Sequence, residues 1–259
     1  MKAVILGGAG EVGSEVTRDL ARDGAFDELV VADLDEGRAR TLVDEFDGAG
    51  IRAVGLDLHD REAALALLEG ADVLMNCTSF VLFDTVIDLA IEARVDYADL
   101  ISEPTDAQAR AAREAGITAI SGLGATPGLS NVLVRHAAEE LEEIAEVHIS
   151  WVSFRTIAPT PGLLDTILWE TSENCETRGF FQNGRFERAA FLDGSRLVTF
   201  ADPVGPQRVY YLPHPRSRRC RETSRRCATA RSAEAGGRRS WTTCGCSAAM
   251  ACWPRTAWR

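Results

Sequence analysis

The chain opens on a short apolar run, Lys2-Ala3-Val4-Ile5-Leu6, and passes directly into glycines. Val12, Val16 and Leu20 then recur at helical spacing, so a strand over 2–6 feeds a helix. The alternation continues. Strands are expected over 28–32, 52–58, 73–75, 96–100 and 118–121, and helices over 61–68, 83–92 and 105–115. Strands that alternate with helices over this length imply a parallel sheet covered on both faces, with its ligand at the carboxyl ends of the strands. The expected fold class is therefore α/β, a doubly wound parallel sheet over residues 1–131.

Beyond it the pattern changes. An amphipathic helix over 132–144 places Glu139, Glu140, Glu142 and Glu143 in its exposed turn, although Ser130 is a good N-cap for an earlier start. Residues 146–154 alternate apolar with polar, as a half-buried strand does. Residues 179–181, 185–191 and 195–198 read as further strands, with Asn183-Gly184 and Asp193-Gly194 as hairpin turns. Residues 132–215 thus form a smaller α+β region, a partial substrate and dimerisation domain.

From Arg216 onward the chain contains no Val, Leu, Ile, Phe or Tyr. Cys220, Cys227, Cys244, Cys246 and Cys252 lie here, with Trp241, Trp253 and Trp258. A segment this poor in aliphatic residues cannot offset its chain entropy, so residues 216–259 are expected to form no regular structure. A basic arm and a zinc site are two readings, but the cysteine spacings do not repeat a CxxC pair and the tail holds no histidine.

A third reading is a translated frameshift. If the true frame joins the last base of each codon to the first two of the next, every Cys and Trp codon yields NTG, which encodes Leu, Met or Val. All eight odd residues become aliphatic, and the arginines of the CGN type become Ser, Pro, Thr or Ala. We adopt this reading.

Charge divides at the same place. The total is −11. Residues 1–215 carry 17 basic and 37 acidic side chains, whereas 216–259 carry 11 arginines against Glu222 and Glu234. So acidic a body repels phosphates, which argues against nucleic acid as its partner. No stretch approaches the ~18 consecutive apolar residues of a membrane span, and no secretory h-region opens the chain. A cytoplasmic protein with no membrane partner is the expectation.

The candidate chemistry starts in the first loop. Gly8, Gly10 and Gly13 satisfy G-x-G-x-x-G between the first strand and helix, and the loop includes Glu11 and Val12. The glycines permit a tight turn, close approach of backbone to a pyrophosphate and close helix–strand packing, while the helix N-terminus offers free N–H groups. Asp33 ends the second strand, 20 residues beyond Gly13, where a carboxylate meets ribose hydroxyls. It repels a 2′-phosphate, so NAD is preferred over NADP, with Arg38 the nearest opposing cation. Asp33 could otherwise cap the next helix, as could Asp35. Asp57, near the end of the third strand, could sit beside the adenine.

Lys2 is the only lysine. A Tyr-x-x-x-Lys pair, a P-loop lysine and a lysine Schiff base are therefore all excluded. The four histidines show no metal spacing.

Gly8-Ala9-Gly10-Glu11-Val12-Gly13, Val31-Ala32-Asp33, Asn76-Cys77-Thr78, Asp96-Tyr97-Ala98-Asp99-Leu100 and Gly122-Leu123-Gly124-Ala125-Thr126-Pro127-Gly128-Leu129-Ser130-Asn131 occur in this order. The chain resembles the saccharopine dehydrogenase-like family, over roughly residues 2–215. That family includes saccharopine reductases, lysine 6-dehydrogenases and carboxynorspermidine-type dehydrogenases.

The resemblance implies NAD(P)-dependent oxidation at the C–N bond of an amino acid or related amine, through an imine, in a homodimer. Thr160-Pro161-Gly162 and the NAD preference tilt the reading toward a lysine 6-dehydrogenase-like enzyme. The alternative is an inactive dinucleotide-binding module. After Tyr210-Tyr211-Leu212-Pro213-His214-Pro215 the family continues into further strands and helices, where this chain departs into its tail.

Under the resemblance Asn76 and Thr78 border the nicotinamide ribose, and Pro127 and Gly128 let backbone approach the nicotinamide unless they form an ordinary turn. Tyr97 and Asp99, the candidate catalytic residues at the substrate, share one face of their strand. Asp99 either anchors or deprotonates a substrate ammonium or caps the following helix. Arg155 is the candidate partner of a substrate carboxylate, against a surface role. Cys77 reads as a packed thiol.

Overall fold

The structure is a computed structural model that describes residues 1–46, 50–102, 104–125, 127–141, 146–154, 161–182, 185–213 and 243–251. The backbone divides into two units, Met1–Gly124 and Ala125–Arg259.

In the first unit the order is β1 (Lys2–Leu6), α1 (Glu11–Asp23), β2 (Glu28–Asp33), α2 (Glu36–Val43), β3 (Ile51–Gly55) and α3 (Arg61–Leu68). There follow β4 (Val73–Asn76), a single 3-10 turn, α4 (Phe83–Ala93), β5 (Asp96–Asp99), α5 (Asp106–Ala115) and β6 (Ala119–Ile120). The six strands make one sheet in the order β3-β2-β1-β4-β5-β6, and every pairing is parallel. This is the doubly wound arrangement expected from the alternation.

Strand alternation builds the two cores. Val4, Leu6, Val30, Ala32 and Leu74 share one cluster with Ala64 and Leu68 of α3 and Val86, Ile87 and Ala90 of α4. Val31 faces the other way, onto Ala9 of the glycine loop and Ala39 and Leu42 of α2. Because both faces are covered, β1 and β2 read as continuous apolar runs rather than alternating ones. β3 ends at Gly55, earlier than the expected strand over 52–58, because the backbone turns through Leu56-Asp57 into the cap of α3.

In the second unit the order is α6 (Leu129–Glu140), β7 (Glu146–Phe154), α7 (Pro161–Thr171), β8 (Gly179–Gln182), β9 (Arg185–Arg188), β10 (Arg196–Thr199), β11 (Pro206–Tyr211) and β12 (Thr243–Ala251). α6 begins at Leu129, three residues before the expected helix, and its N-cap is Gly128 rather than Ser130. The Asn131 side chain accepts from the Gly128 N–H at 3.3 Å, so an amide one turn into the helix satisfies its start.

β8 and β9 pair antiparallel as expected, and the turn residues between them, Asn183-Gly184, lie outside the described residues. Asp193-Gly194 is a turn, but not a hairpin. The strands on either side of it do not pair, since β9 joins β8 and β10 joins β11. The Asp193 side chain folds back to accept from the Ala190 N–H at 2.8 Å, and its carbonyl accepts from Tyr211. Long-range pairing with β11 overrides the local turn signal.

Arg178 is 1% exposed and donates to the carbonyls of Glu170, Ser172 and Ala189 at 2.8, 3.0 and 3.1 Å. It ties the end of α7 to the strands beyond it.

The tail departs from expectation in one place. Thr243–Ala251 is strand β12, which pairs in parallel with β7 over nine residues and antiparallel with β8 and β11. Strand pairing uses backbone N–H and C=O groups and tolerates small side chains, which an argument from buried aliphatic surface does not weigh. Residues 214–242 and 252–259 lie outside the described residues.

Candidate dinucleotide site

The glycine loop leaves β1 at Gly7, whose φ is +69°, and reaches α1 at Gly10. The Gly10 N–H donates to the Gly7 carbonyl at 3.1 Å, closing a tight turn. A Cβ on Gly13 would lie 2.0 Å from the Gly7 oxygen and 2.8 Å from the Gly8 Cα. One on Gly8 would meet Val31 Cγ1 at 2.8 Å. No side chain caps α1, so its first-turn amides have no capping side chain and are available to an anion.

Asp33 turns toward this loop. Its Oδ2 accepts from the Ala9 N–H at 3.0 Å and its Oδ1 from the Asp35 N–H at 3.1 Å. The cap of α2 is Asp35, whose side chain accepts from the Arg38 N–H at 3.1 Å. Asp33 is therefore released from capping and held against the phosphate loop. Leu34 beside it is 76% exposed. Asp57, at the far side of β2, accepts from the backbone and ring nitrogens of His59 at 2.9 and 2.8 Å. Those two bonds hold its carboxyl below the usual carboxylate range.

The carboxyl ends of β4 and β5 carry a buried polar chain. Asn76, Tyr97 and Asp99 are 1%, 2% and 3% exposed. Asn76 Oδ1 accepts from the backbone N–H and the hydroxyl of Thr78 at 3.1 and 2.7 Å, while its Nδ2 donates to the Tyr97 oxygen at 3.0 Å. The Asp99 carboxylate accepts from the Ser102 N–H at 2.8 Å, the Ser102 hydroxyl and the Gly122 N–H at 3.2 Å.

Burial pushes the Tyr97 phenol up; the Asn76 amide pulls it down and the neighbouring Asp99 carboxylate raises it again. Burial, with the same carboxylate, pushes the Cys77 thiol up to about 11, which suits a packed thiol rather than a nucleophile. This chain adjoins the glycine loop. A Cβ on Gly7 would meet the Cys77 oxygen at 2.8 Å and the Thr78 Cα at 3.0 Å.

The structure thus brings Gly8, Gly10, Glu11, Val12, Gly13, Asp33, Asn76 and Thr78 to the carboxyl ends of neighbouring strands. Pro127 is buried and Gly128 starts α6 in the second unit, described by itself. Arg155 lies outside the described residues. Among the described residues no cluster of His, Cys, Asp and Glu could hold a metal ion.

Sequence reasoning missed two groups. Ser102 follows Asp99 at the spacing of a carboxylate that caps a turn, a legible signal. The Ser79 and Ser130 hydroxyls are buried without a partner, which only coordinates reveal. The glycine loop, where a Cβ on Gly7, Gly8 or Gly13 would clash, the uncapped helix and the orphan Ser79 hydroxyl beside Thr78 together suit a dinucleotide.

A parallel sheet in this strand order, with a glycine loop after β1 and a carboxylate after β2, defines a nicotinamide-dinucleotide-binding Rossmann domain. Over residues 3–120 the chain matches the family described as the saccharopine dehydrogenase NADP binding domain.

It is 28% identical over 163 residues to the mitochondrial alpha-aminoadipic semialdehyde synthase of Mus musculus, and 26% identical over 170 residues to that of Bos taurus. These matches cover 62% and 64% of the chain but 17% and 18% of those proteins, so the chain spans about one sixth of the curated relatives it matches. Among solved structures it resembles apo saccharopine dehydrogenase (L-Glu forming) of Saccharomyces cerevisiae. The TM-score is 0.64 at 17% identity, covering 95% of this chain and 54% of that one. A UDP-N-acetylglucosamine 3-dehydrogenase of Acidithiobacillus ferrooxidans gives a TM-score of 0.51 at 14% identity, covering 98% and 71%. The last two likenesses are of fold.

Proposed function

We propose that this protein is an NAD-preferring oxidoreductase acting on the C–N bond of an amino acid or related amine. The bound nicotinamide would accept a hydride from the amine carbon, leaving an imine for hydrolysis. The observation that carries the reading is Asp33, held by the Ala9 N–H against the phosphate loop and free of capping duty. A carboxylate there accepts from ribose hydroxyls and repels a 2′-phosphate.

NADH and NADPH binding to the full chain, followed by fluorescence, tests the first half. NADH should bind at least tenfold more tightly, and Asp33→Ser should narrow that ratio. Equal binding of the two by the unaltered chain would overturn the NAD preference.

The second half is tested by amine-dependent reduction of NAD with lysine, saccharopine, diaminopimelate and polyamine-derived substrates. The altered composition of 216–259 favours one competing reading, a dinucleotide-binding module without catalysis. Both the present chain and one with the alternate frame restored beyond the codons for His214 to Arg216 should therefore be assayed. Turnover after restoration supports the enzyme; tight NADH binding with turnover in neither supports the module.

A further inference from the structure

The Thr78–Asn76–Tyr97–Asp99 chain has a direction. A carboxylate only accepts hydrogen bonds, and Asp99 is supplied by two backbone N–H groups and the Ser102 hydroxyl. The Tyr97 oxygen accepts from the Asn76 amide at 3.0 Å, and Asp99 and Ser102 lie close enough to its phenol to act on it. The Thr78 backbone N–H can only donate, so Asn76 turns Oδ1 toward Thr78 and Nδ2 toward Tyr97, where the second bond holds it. Thr78 in turn gives its hydroxyl proton to Asn76 at 2.7 Å. The Thr78 hydroxyl proton is thus directed to protein oxygens, Asn76 Oδ1 at 2.7 Å and the Ser79 carbonyl at 3.4 Å, and the outer end of the chain is a threonine oxygen with lone pairs to offer.

We infer that Tyr97, Asn76 and Asp99 are positioning residues that hold the Thr78 hydroxyl as an acceptor for a donor on the nicotinamide half of the dinucleotide, a ribose hydroxyl or carboxamide N–H. This rests on the dinucleotide reading of the site. It gives Asp99 and Tyr97 a different role from the substrate contact expected of them. Both are within 3% of complete burial, and the Asp99 oxygens are already occupied by protein donors.

The location follows from the sheet. Asp33 marks the adenosine side at β2, and β4 lies on the opposite side of β1. Cys77 and Thr78 abut Gly7, so the position of this loop also sets one wall of the phosphate turn.

The test compares two ligands on the full chain, NADH and ADP. ADP carries the adenine half alone, so general damage to the fold weakens both whereas loss of the acceptor weakens only NADH. Tyr97→Phe and Thr78→Val should each lower NADH affinity roughly five- to tenfold, the scale of one lost hydrogen bond. ADP affinity should stay within about twofold, and Thr78→Ser should behave as the unaltered chain. Because Tyr97 acts through Thr78, Tyr97→Phe should add less than about twofold in a Thr78→Val background.

Additive losses, equal weakening of both ligands, or unchanged NADH binding in Tyr97→Phe would each overturn the proposal. Should Tyr97→Phe not fold, Ser102→Ala, which removes one donor from Asp99, carries the same test. A loss of about two- to threefold confined to NADH supports the relay, and none overturns it. If the unaltered chain binds ADP and neither NADH nor NADPH, it is the dinucleotide reading itself that fails.

Discussion

At the scale of single residues, small atoms decide whether the phosphate loop exists. The 2.0 Å gap between a Cβ on Gly13 and the Gly7 oxygen leaves no room for even one methyl. Gly13→Ala should abolish measurable NADH binding and cost about 1–3 kcal/mol of stability, read from a urea midpoint.

Cys77 makes a pH prediction. Its thiol is raised from 9.0 to about 11, so the folded state favours the protonated form. The stability this contributes is fully present below pH 9 and is lost as pH rises toward 11. Thiol labelling of the folded chain at pH 8 should therefore be slow at Cys77, and the urea midpoint should fall between pH 9 and 11 less steeply in Cys77→Ala. Rapid labelling at pH 8 would contradict the buried placement. The glycine spacing and Asp33 were legible because each satisfies a local backbone need. The Tyr97–Asn76 bond was not, because it joins two strands 21 residues apart.

At the scale of elements, ends tell the most. α4 stops at Arg94, a non-glycine residue at φ 56° whose N–H closes onto Ala90 and Ile91. Arg94→Gly should stabilise the first unit by about 0.5–1 kcal/mol, seen as a rise in Tm; a fall would mean that the arginine side chain matters more than its backbone strain. The helix over 105–115 was read nearly to its ends because Thr105 and Gln108 form a capping box that the sequence spells out. α6 was read late because its start lies at Gly128, at φ 128°, with Asn131 reaching back. α7 lies over a stretch with no strong amphipathic pattern, so periodicity did not mark it.

At the scale of the whole molecule, the chain is one protein up to about residue 213 and a different composition after it. The frame reading makes a direct prediction. Nucleotide sequencing across the codons for His214 to Arg216 should reveal one inserted or deleted base relative to an intact gene. The restored chain should unfold at a higher temperature, because 216–259 would regain aliphatic residues able to be buried. A confirmed intact frame, with a protein mass matching the present sequence, would sink that idea. Among the described residues no helix is long and apolar enough to cross a membrane.

The sequence by itself determined the doubly wound sheet, its glycine loop and the carboxylate after β2, since each depends on neighbours a few residues apart and on periodicity. Tertiary structure alone decided that β10 pairs with β11, that Asp35 rather than Asp33 caps α2, and that Asp99 and Tyr97 face inward. These outcomes depend on which distant groups compete for one hydrogen bond, and that competition is settled only when the strands are side by side.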